Sequence, residues 1–362
     1  MKKYTNKLII LFVILFYSAH TTSQDLKYKI IIDNLDVPWS FVFLPDNSIL
    51  INERKGELIH FKNGRKTKIK NLPNIISKNQ GGLLDIELHP NFKENKWIYI
   101  SYTSSNDESQ GMNTTILRFK IQNYTAINQE IIYKATPNSK RSIHFGSRMV
   151  FDKENYLFFS IGDRGNRDLN PQNINRDGGK IYRLHDDGRI PIDNPFVDEK
   201  NSKKAIFSYG HRNPQGMIYD EEKDEIWIHE HGPRGGDEIN IIKSGGNYGW
   251  PLASYGINYI GTKFTNETSI LGMIDPIHYW IPSIAPSGMV IVKNSNYQSL
   301  NGSILIGSLK FQYLHQCVIK NGKIIKENKL FKEIGRVRSI EFDNDKNIYI
   351  GVENLGIIKL IE

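Results

Sequence analysis

Scattered along this chain are side chains suited to holding an anion, ligating a hard cation and moving a proton. Arg212, Lys310, Arg336 and Arg338 are cations that repel one another unless an anionic partner lies among them. Arginine forks match carboxylates in a bidentate manner. No glycine-rich phosphate loop opens a helix, so a compact polycarboxylate suits these cations better than a phosphate chain. The segment EHGPRGGDEINIIKSGGNYGW covers residues 230–250. In it, Asp237 and Glu238 are adjacent carboxylates in a glycine-rich stretch, where carboxylate and backbone carbonyl oxygens together suit Ca²⁺. The alternative is a bulged turn with a solvent-facing acid pair. His231 has no second, correctly spaced histidine, which argues against a transition metal there.

The elements that must position these residues show almost no helical period. A strand–turn–strand unit recurs instead: Trp39 to Phe43 with Ser48 to Asn52, Leu83 to Leu88 with Trp97 to Tyr102, and Met149 to Phe151 with Tyr156 to Ile161. It returns as Met217 to Tyr219 with Glu225 to His229, Met289 to Val292 with Ser303 to Gly307, and Val337 to Phe342 with Asn347 to Gly351. Longer, weaker strands follow, such as Thr115 to Ile121 and Lys180 to Leu184. The pattern predicts an all-β fold, a six-bladed β-propeller of four-stranded antiparallel blades. An early strand, Leu26 to Ile32, pairs with Gly356 to Ile361 to close the ring. A large β-sandwich is the competing fold, but it does not explain the recurrence. In a blade, the loop entering the first strand and the loop leaving the second share one face. Gln80, His144, Arg212 to Gln215, Trp280 and Arg336 fall before first strands, with Arg338 at the start of the last one. Gly162 to Gly165, His231 to Arg234 and Lys310 fall after second strands. The fold therefore predicts one shared ligand site at the channel mouth.

Composition narrows the setting. The net charge is +8, but Lys2, Lys3 and Lys7 supply three of those positives within the first seven positions. The remainder is too modest for a nucleic-acid partner. The densest basic run, Lys62 to Lys70, reads as a solvated hairpin loop. The three lysines precede nine apolar residues, Leu8 to Phe16, and then a small and polar stretch. That pattern predicts an export signal over residues 1–23, ahead of a folded catalytic domain over 24–362. Nine residues are too few for a stable membrane insertion, which takes roughly 20. One cysteine, Cys317, excludes an internal disulfide, a thiolate metal cluster and a haem-attachment motif. The expected location is periplasmic or secreted.

The stretches QGGLLDIELHPNF, HFGSRMVF, SIGDRG, GGKIYRLHDDG, YGHRNPQGM, EHGPRGGDEINIIKSGGNYGWP, PSIAPSGM, GSLK and GRVRSI run in order from about residue 35 to the C-terminus. In these the chain resembles the soluble PQQ-dependent glucose dehydrogenases, and more closely the periplasmic aldose sugar dehydrogenases. The resemblance implies oxidation of an aldose at C1 to the lactone, with hydride passing to PQQ and electrons to an external acceptor. It implies that His144 is the base and that Arg212 polarises the quinone oxygen. Asn213, Lys310, Arg336 and Arg338 are implied to hold PQQ, with Gln80 at the sugar and cofactor site and Tyr259 as a further contact. Gly232 and Pro233 are implied as backbone ligands of a cofactor Ca²⁺. Glu238 and Tyr248 are implied as ligands of a structural Ca²⁺, the tyrosine through its carbonyl. In the glucose dehydrogenases an aspartate precedes the base. Here Ile143 does, which fits the broader aldose sugar group.

Two other readings compete. A non-catalytic, calcium-binding extracellular propeller that binds sugar or protein has no need to keep His144, Arg212, Lys310 and the Arg336/Arg338 pair together. A metal-dependent lactonase on a six-bladed propeller expects carboxylate and asparagine ligands along the channel, where this chain has cations.

Overall fold

The computed structural model describes residues 26–105 and 107–362. The expected export signal, residues 1–23, lies outside the described residues. The strands run in order from β1 (Lys27–Asp33) to β2 (Pro38–Phe43), β3 (Ile49–Glu53), β4 (Glu57–Lys62) and β5 (Arg65–Lys68). Then come β6 (Leu83–Leu88), β7 (Ile98–Ser104), β8 (Asn113–Gln122), β9 (Thr125–Lys134), β10 (Met149–Phe151), β11 (Leu157–Ile161), β12 (Lys180–Leu184) and β13 (Ile206–Tyr209). β14 (Pro214–Asp220), β15 (Glu225–Glu230), β16 (Asp237–Ile241) and β17 (His278–Trp280) precede β18 (Pro286–Val292), β19 (Ser303–Ser308), β20 (Tyr313–Lys320) and β21 (Lys323–Leu330). The last three are β22 (Val337–Phe342), β23 (Ile348–Val352) and β24 (Gly356–Ile361). They form six four-stranded sheets, each an antiparallel blade. β1 pairs with β24 in the sixth blade, Lys27 opposite Ile361, so the first strand closes the ring. The predicted propeller and its closure are the observed ones.

Four of the six turns between first and second strands share a local cause. Asp46, Asp152, Asp220 and Asp343 each accept a backbone N–H two residues on, at 3.0–3.2 Å. A residue near the end of each turn, Asn47, Asn155, Asp224 or Lys346, takes a positive φ of 55–63°. Asn and Asp tolerate this geometry, Lys346 being the exception, and the turn aspartates satisfy the turn's own amides. The basic run, expected as a solvated hairpin loop, is a hairpin most of which lies in paired strands. Asn63 and Gly64, with φ of 51° and 75°, turn β4 into the outer strand β5, which holds Arg65 to Lys68.

Between blades lies the core. Leu50 and Leu58 of the first blade meet Ile86, Ile98 and Phe119 of the second, and Tyr99 and Ile116 of the second meet Phe159 and Tyr182 of the third. Each such side chain, fully buried, contributes roughly 1.5–3 kcal/mol.

Candidate active site

At one end of the channel, five innermost strands carry a register shift: at Pro38/Ser40, Leu83/Ile86, Pro214/Gly216, Ser287/Met289 and Val337/Ser339. An extra residue in a paired strand bends it and re-aims its side chain. Trp39, Leu84, Gln215 and Arg338 sit at these shifts, and all four line a cavity of about 720 Å³. Gln80, Asn213, Gly232, Pro233, Tyr259, Lys310 and Arg336 line it as well. An adjoining cavity of about 530 Å³ holds His144 and Arg212, and Pro233 and Tyr259 line both. The expected cofactor and catalytic residues therefore meet at one mouth. Trp280 does not join them. It ends β17, buried, with its Nε1 donating to Glu327 at 2.7 Å.

The larger cavity is cationic. Arg54, Arg234, Lys310, Arg336 and Arg338 line it against one carboxylate, Asp237. Asp237 is engaged already, accepting the N–H groups of Gly232 and Ala285, each at 2.8 Å. Arg336 and Arg338 share Glu353, their Nε atoms donating to it at 2.7 and 3.0 Å. One carboxylate thus serves two guanidiniums. Burial lowers the Arg338 pKa to about 10, which keeps its charge at neutral pH. A compact polyanion fits this lining.

His144 has a φ of 54°, in the left-handed region, and its N–H donates to Gln80 Oε1 at 2.8 Å. Its Nδ1 lies 2.7 Å from Asp163 Oδ1. A carboxylate only accepts, so Nδ1 carries the proton and Nε2 keeps its lone pair. Asp163 is fixed in turn by Trp250 Nε1 at 2.9 Å and Gly165 N–H at 2.7 Å. The carboxylate that position 143 lacks is therefore supplied by the loop after β11. Burial pulls the His144 pKa below its ordinary value, Asp163 opposes this and Arg212 adds to it. The imidazole is neutral at pH 7. A Cβ at Gly162 would lie 2.4 Å from the His144 carbonyl oxygen, so this close approach requires glycine. Arg212 is held by its N–H to Glu230 Oε2 at 2.5 Å and by its Nη1 to the His231 carbonyl at 2.9 Å. His231 donates from Nε2 to the Pro286 carbonyl at 2.7 Å, a structural use of that ring.

Asp237 and Glu238 do not sit in a loop, as expected, but open β16. Neighbours on a strand face opposite ways. Asp237 faces the larger cavity, and Glu238 a small void with Glu230, Tyr248, Ala253 and Ser254. Burial, and then the Glu230 carboxylate, push the Glu238 carboxyl well up. Asn240 Nδ2 lies 3.3 Å from Glu230 and 3.4 Å from Glu238, while its buried Oδ1 has no partner. One buried carboxylate, Glu230, one partly buried carboxylate, Glu238, and an unpartnered amide oxygen make a donor set for a hard cation.

Arg54, Glu353 and Trp250 were not singled out from the sequence, and Asp163 was placed at the mouth without its role beside His144. Arg54 follows β3, Asp163 follows β11 and Glu353 follows β23. All three lie in the loop class that leaves second strands, and that rule alone points to them.

Residues 35–359 match the sequence model of the Glucose / Sorbosone dehydrogenase family. The chain belongs to that family. It is an oxidoreductase of the sugar dehydrogenase type. It is 36% identical over 329 residues to the aldose sugar dehydrogenase YliI of Escherichia coli (strain K12), covering 89% of this chain and 88% of that one. The crystal structure of the soluble aldose sugar dehydrogenase from Escherichia coli, in its apo-form, superposes with a TM-score of 0.89 at 34% identity. It covers 93% of this chain and 99% of that one. The PQQ-bound form of the aldose sugar dehydrogenase from Streptomyces coelicolor superposes at 0.76 with 25% identity, covering 93% and 98%. No helix among the described residues is long and apolar enough to cross a membrane.

Proposed function

We propose that this dehydrogenase is a periplasmic or secreted quinoprotein that oxidises aldose sugars at C1 to the lactone and passes electrons to an external acceptor. The observation that carries the reading is the pairing of the Asp163–His144 base with an adjoining cavity of cations. PQQ, when bound, supplies the acceptor for the hydride that leaves C1. Lys310, Arg336 and Arg338 hold its carboxylates, with Arg54 and Arg234 adding positive charge, and Gln80, Asn213 and Tyr259 frame it. Gly232 and Pro233 offer backbone carbonyls to a cofactor Ca²⁺, and Asp237 fixes that loop through the Gly232 N–H. Glu238 and the Tyr248 carbonyl hold a structural Ca²⁺ in the void beneath.

In the smaller cavity, His144 Nε2 takes the proton of the C1 hydroxyl as hydride departs. Asp163 keeps the ring in the required tautomer and stabilises the imidazolium formed. Arg212, held in place by Glu230 and the His231 carbonyl, places its charge where negative charge grows during transfer. The export reading rests on residues 1–23.

Dye-linked oxidation of an aldose panel, with and without added PQQ and Ca²⁺, tests the assignment. Turnover is expected only with both additions. Turnover of aldoses by protein free of PQQ and Ca²⁺, or none under any condition, would contradict it.

A further inference from the structure

The fifth blade carries a second chemically capable cluster that the sugar chemistry does not use. His315 and Cys317 lie two apart on β20, so both project from one face of the strand. Both are buried, at 2% and 0% exposure. Glu327, on β21, stands opposite Cys317 in the strand register. His278 and Trp280 come from β17, the outermost strand of the fourth blade. The Glu327 carboxylate gathers these groups. Its Oε2 lies 2.5 Å from His315 Nε2 and 2.7 Å from Trp280 Nε1, and its Oε1 lies 3.3 Å from His278 Nε2. Ligand atoms of His315, Cys317 and Glu327 all fall within 4.8 Å of one another.

The cluster is unsatisfied as it stands. His278 Nε2 is buried and faces Glu327 without the geometry of a hydrogen bond, and His315 Nδ1 is buried with no partner. A buried ring nitrogen left without a hydrogen bond is costly, and an ion taken up between His278 Nε2 and Glu327 gives that nitrogen the partner it lacks.

We infer that His278, His315, Cys317 and Glu327 form a transition-metal site that takes Zn²⁺ and clips the fourth blade to the fifth. Two imidazoles, one thiolate and one carboxylate are a borderline set suited to a tetrahedral ion. Ca²⁺ by contrast takes about six to eight oxygens. Zinc–ligand bonds of about 2.0–2.3 Å require the donor atoms of His315, Cys317 and Glu327 to draw in by about 1 Å around the ion, and His278 Nε2, which lies outside their 4.8 Å group, by more. The ion replaces the thiol proton and the proton between His315 and Glu327. Trp280 Nε1 remains on the Glu327 carboxylate as its outer partner, which orients that ligand. The Glu327 side chain is 33% exposed, which gives the ion a way in.

The test uses untagged full-length mature protein, stripped of transition metals and kept in excess Ca²⁺. One equivalent of Co²⁺ should give tetrahedral absorption with a thiolate-to-cobalt charge-transfer band. Added Zn²⁺ should displace it one for one and raise the melting temperature. Cys317→Ser should abolish the charge-transfer band. His278→Ala, at a partly exposed position that leaves the inner core intact, should weaken Zn²⁺ binding by at least about 10-fold. Trp280→Phe should weaken it by about 10–100-fold, the usual effect of losing an outer partner. Cobalt bound without a thiolate band would overturn the site, as would Zn²⁺ binding unchanged in both His278→Ala and Cys317→Ser.

Discussion

His144 can act through Nε2 because Asp163 occupies Nδ1 at 2.7 Å. That division of labour sets the pH response. Burial holds the His144 pKa below 6.5, so the acid limb of kcat/KM is expected below that pH, with activity falling as the imidazole gains its proton. Asp163 is the group that raises this pKa. Asp163→Asn should therefore move the limb to still lower pH and reduce the plateau by at least about 10-fold, because the tautomer is no longer enforced. A pH–rate profile on both proteins reads this directly, and a limb that stays put or moves up would exclude the assigned pair. That His144 and Arg212 lie together at the mouth was legible in the sequence because each lies in a loop of the predicted class. The role of Asp163 was not, because a carboxylate was sought beside the base in sequence. The one that serves it lies 19 positions away, in another loop of the same class. Glu353, shared by Arg336 and Arg338, was missed although it follows β23 as Asp163 follows β11.

At the scale of elements, bulges decide which side chains reach the mouth. Trp39, Leu84, Gln215 and Arg338 face the larger cavity because the innermost strands slip register at those points. Strand periodicity alone leaves such shifts invisible, since a bulge comes from local backbone geometry and not from alternation. The start of β16 was misjudged for a related reason. Glycines at 232, 235 and 236 imply a loop, yet Asp237 already pairs with Trp280 in the sheet. The alternation then separates Asp237 from Glu238, and Glu238 is left in the void beside Glu230. Ca²⁺ should raise the melting temperature of the wild type by mass action. Glu238→Ala should lose most of that rise, while the rate of the fully loaded enzyme changes less. A melting temperature that stays constant across a calcium titration in both proteins would remove the structural ion from the account.

At the scale of the whole molecule, the ring makes distant residues neighbours. Arg148, just before β10, shows how tightly the axis is tied. It pairs with Asp85 of the second blade at 2.9 Å and donates to the carbonyls of Gln215 and Arg338, in the fourth and sixth, each at 2.8 Å. Its guanidinium also lies 4.1 Å from the Trp39 ring centre of the first blade. The six-fold repeat and its closure by β1 were legible because turn aspartates and short apolar strands recur. The axial hub was not, because its members share no motif. The central claim is that this ring brings one proton acceptor beside a separately built cofactor cavity. His144→Ala tests it best, with PQQ affinity and sugar-dependent dye reduction measured on the same folded, calcium-loaded sample. His144 lines the smaller cavity, while Lys310, Arg336 and Arg338 line the larger, so PQQ should bind nearly as in the wild type. Turnover should fall by about 10²–10⁴-fold, the usual worth of a positioned base. Turnover within about threefold of the wild type, far short of that effect, would contradict the account.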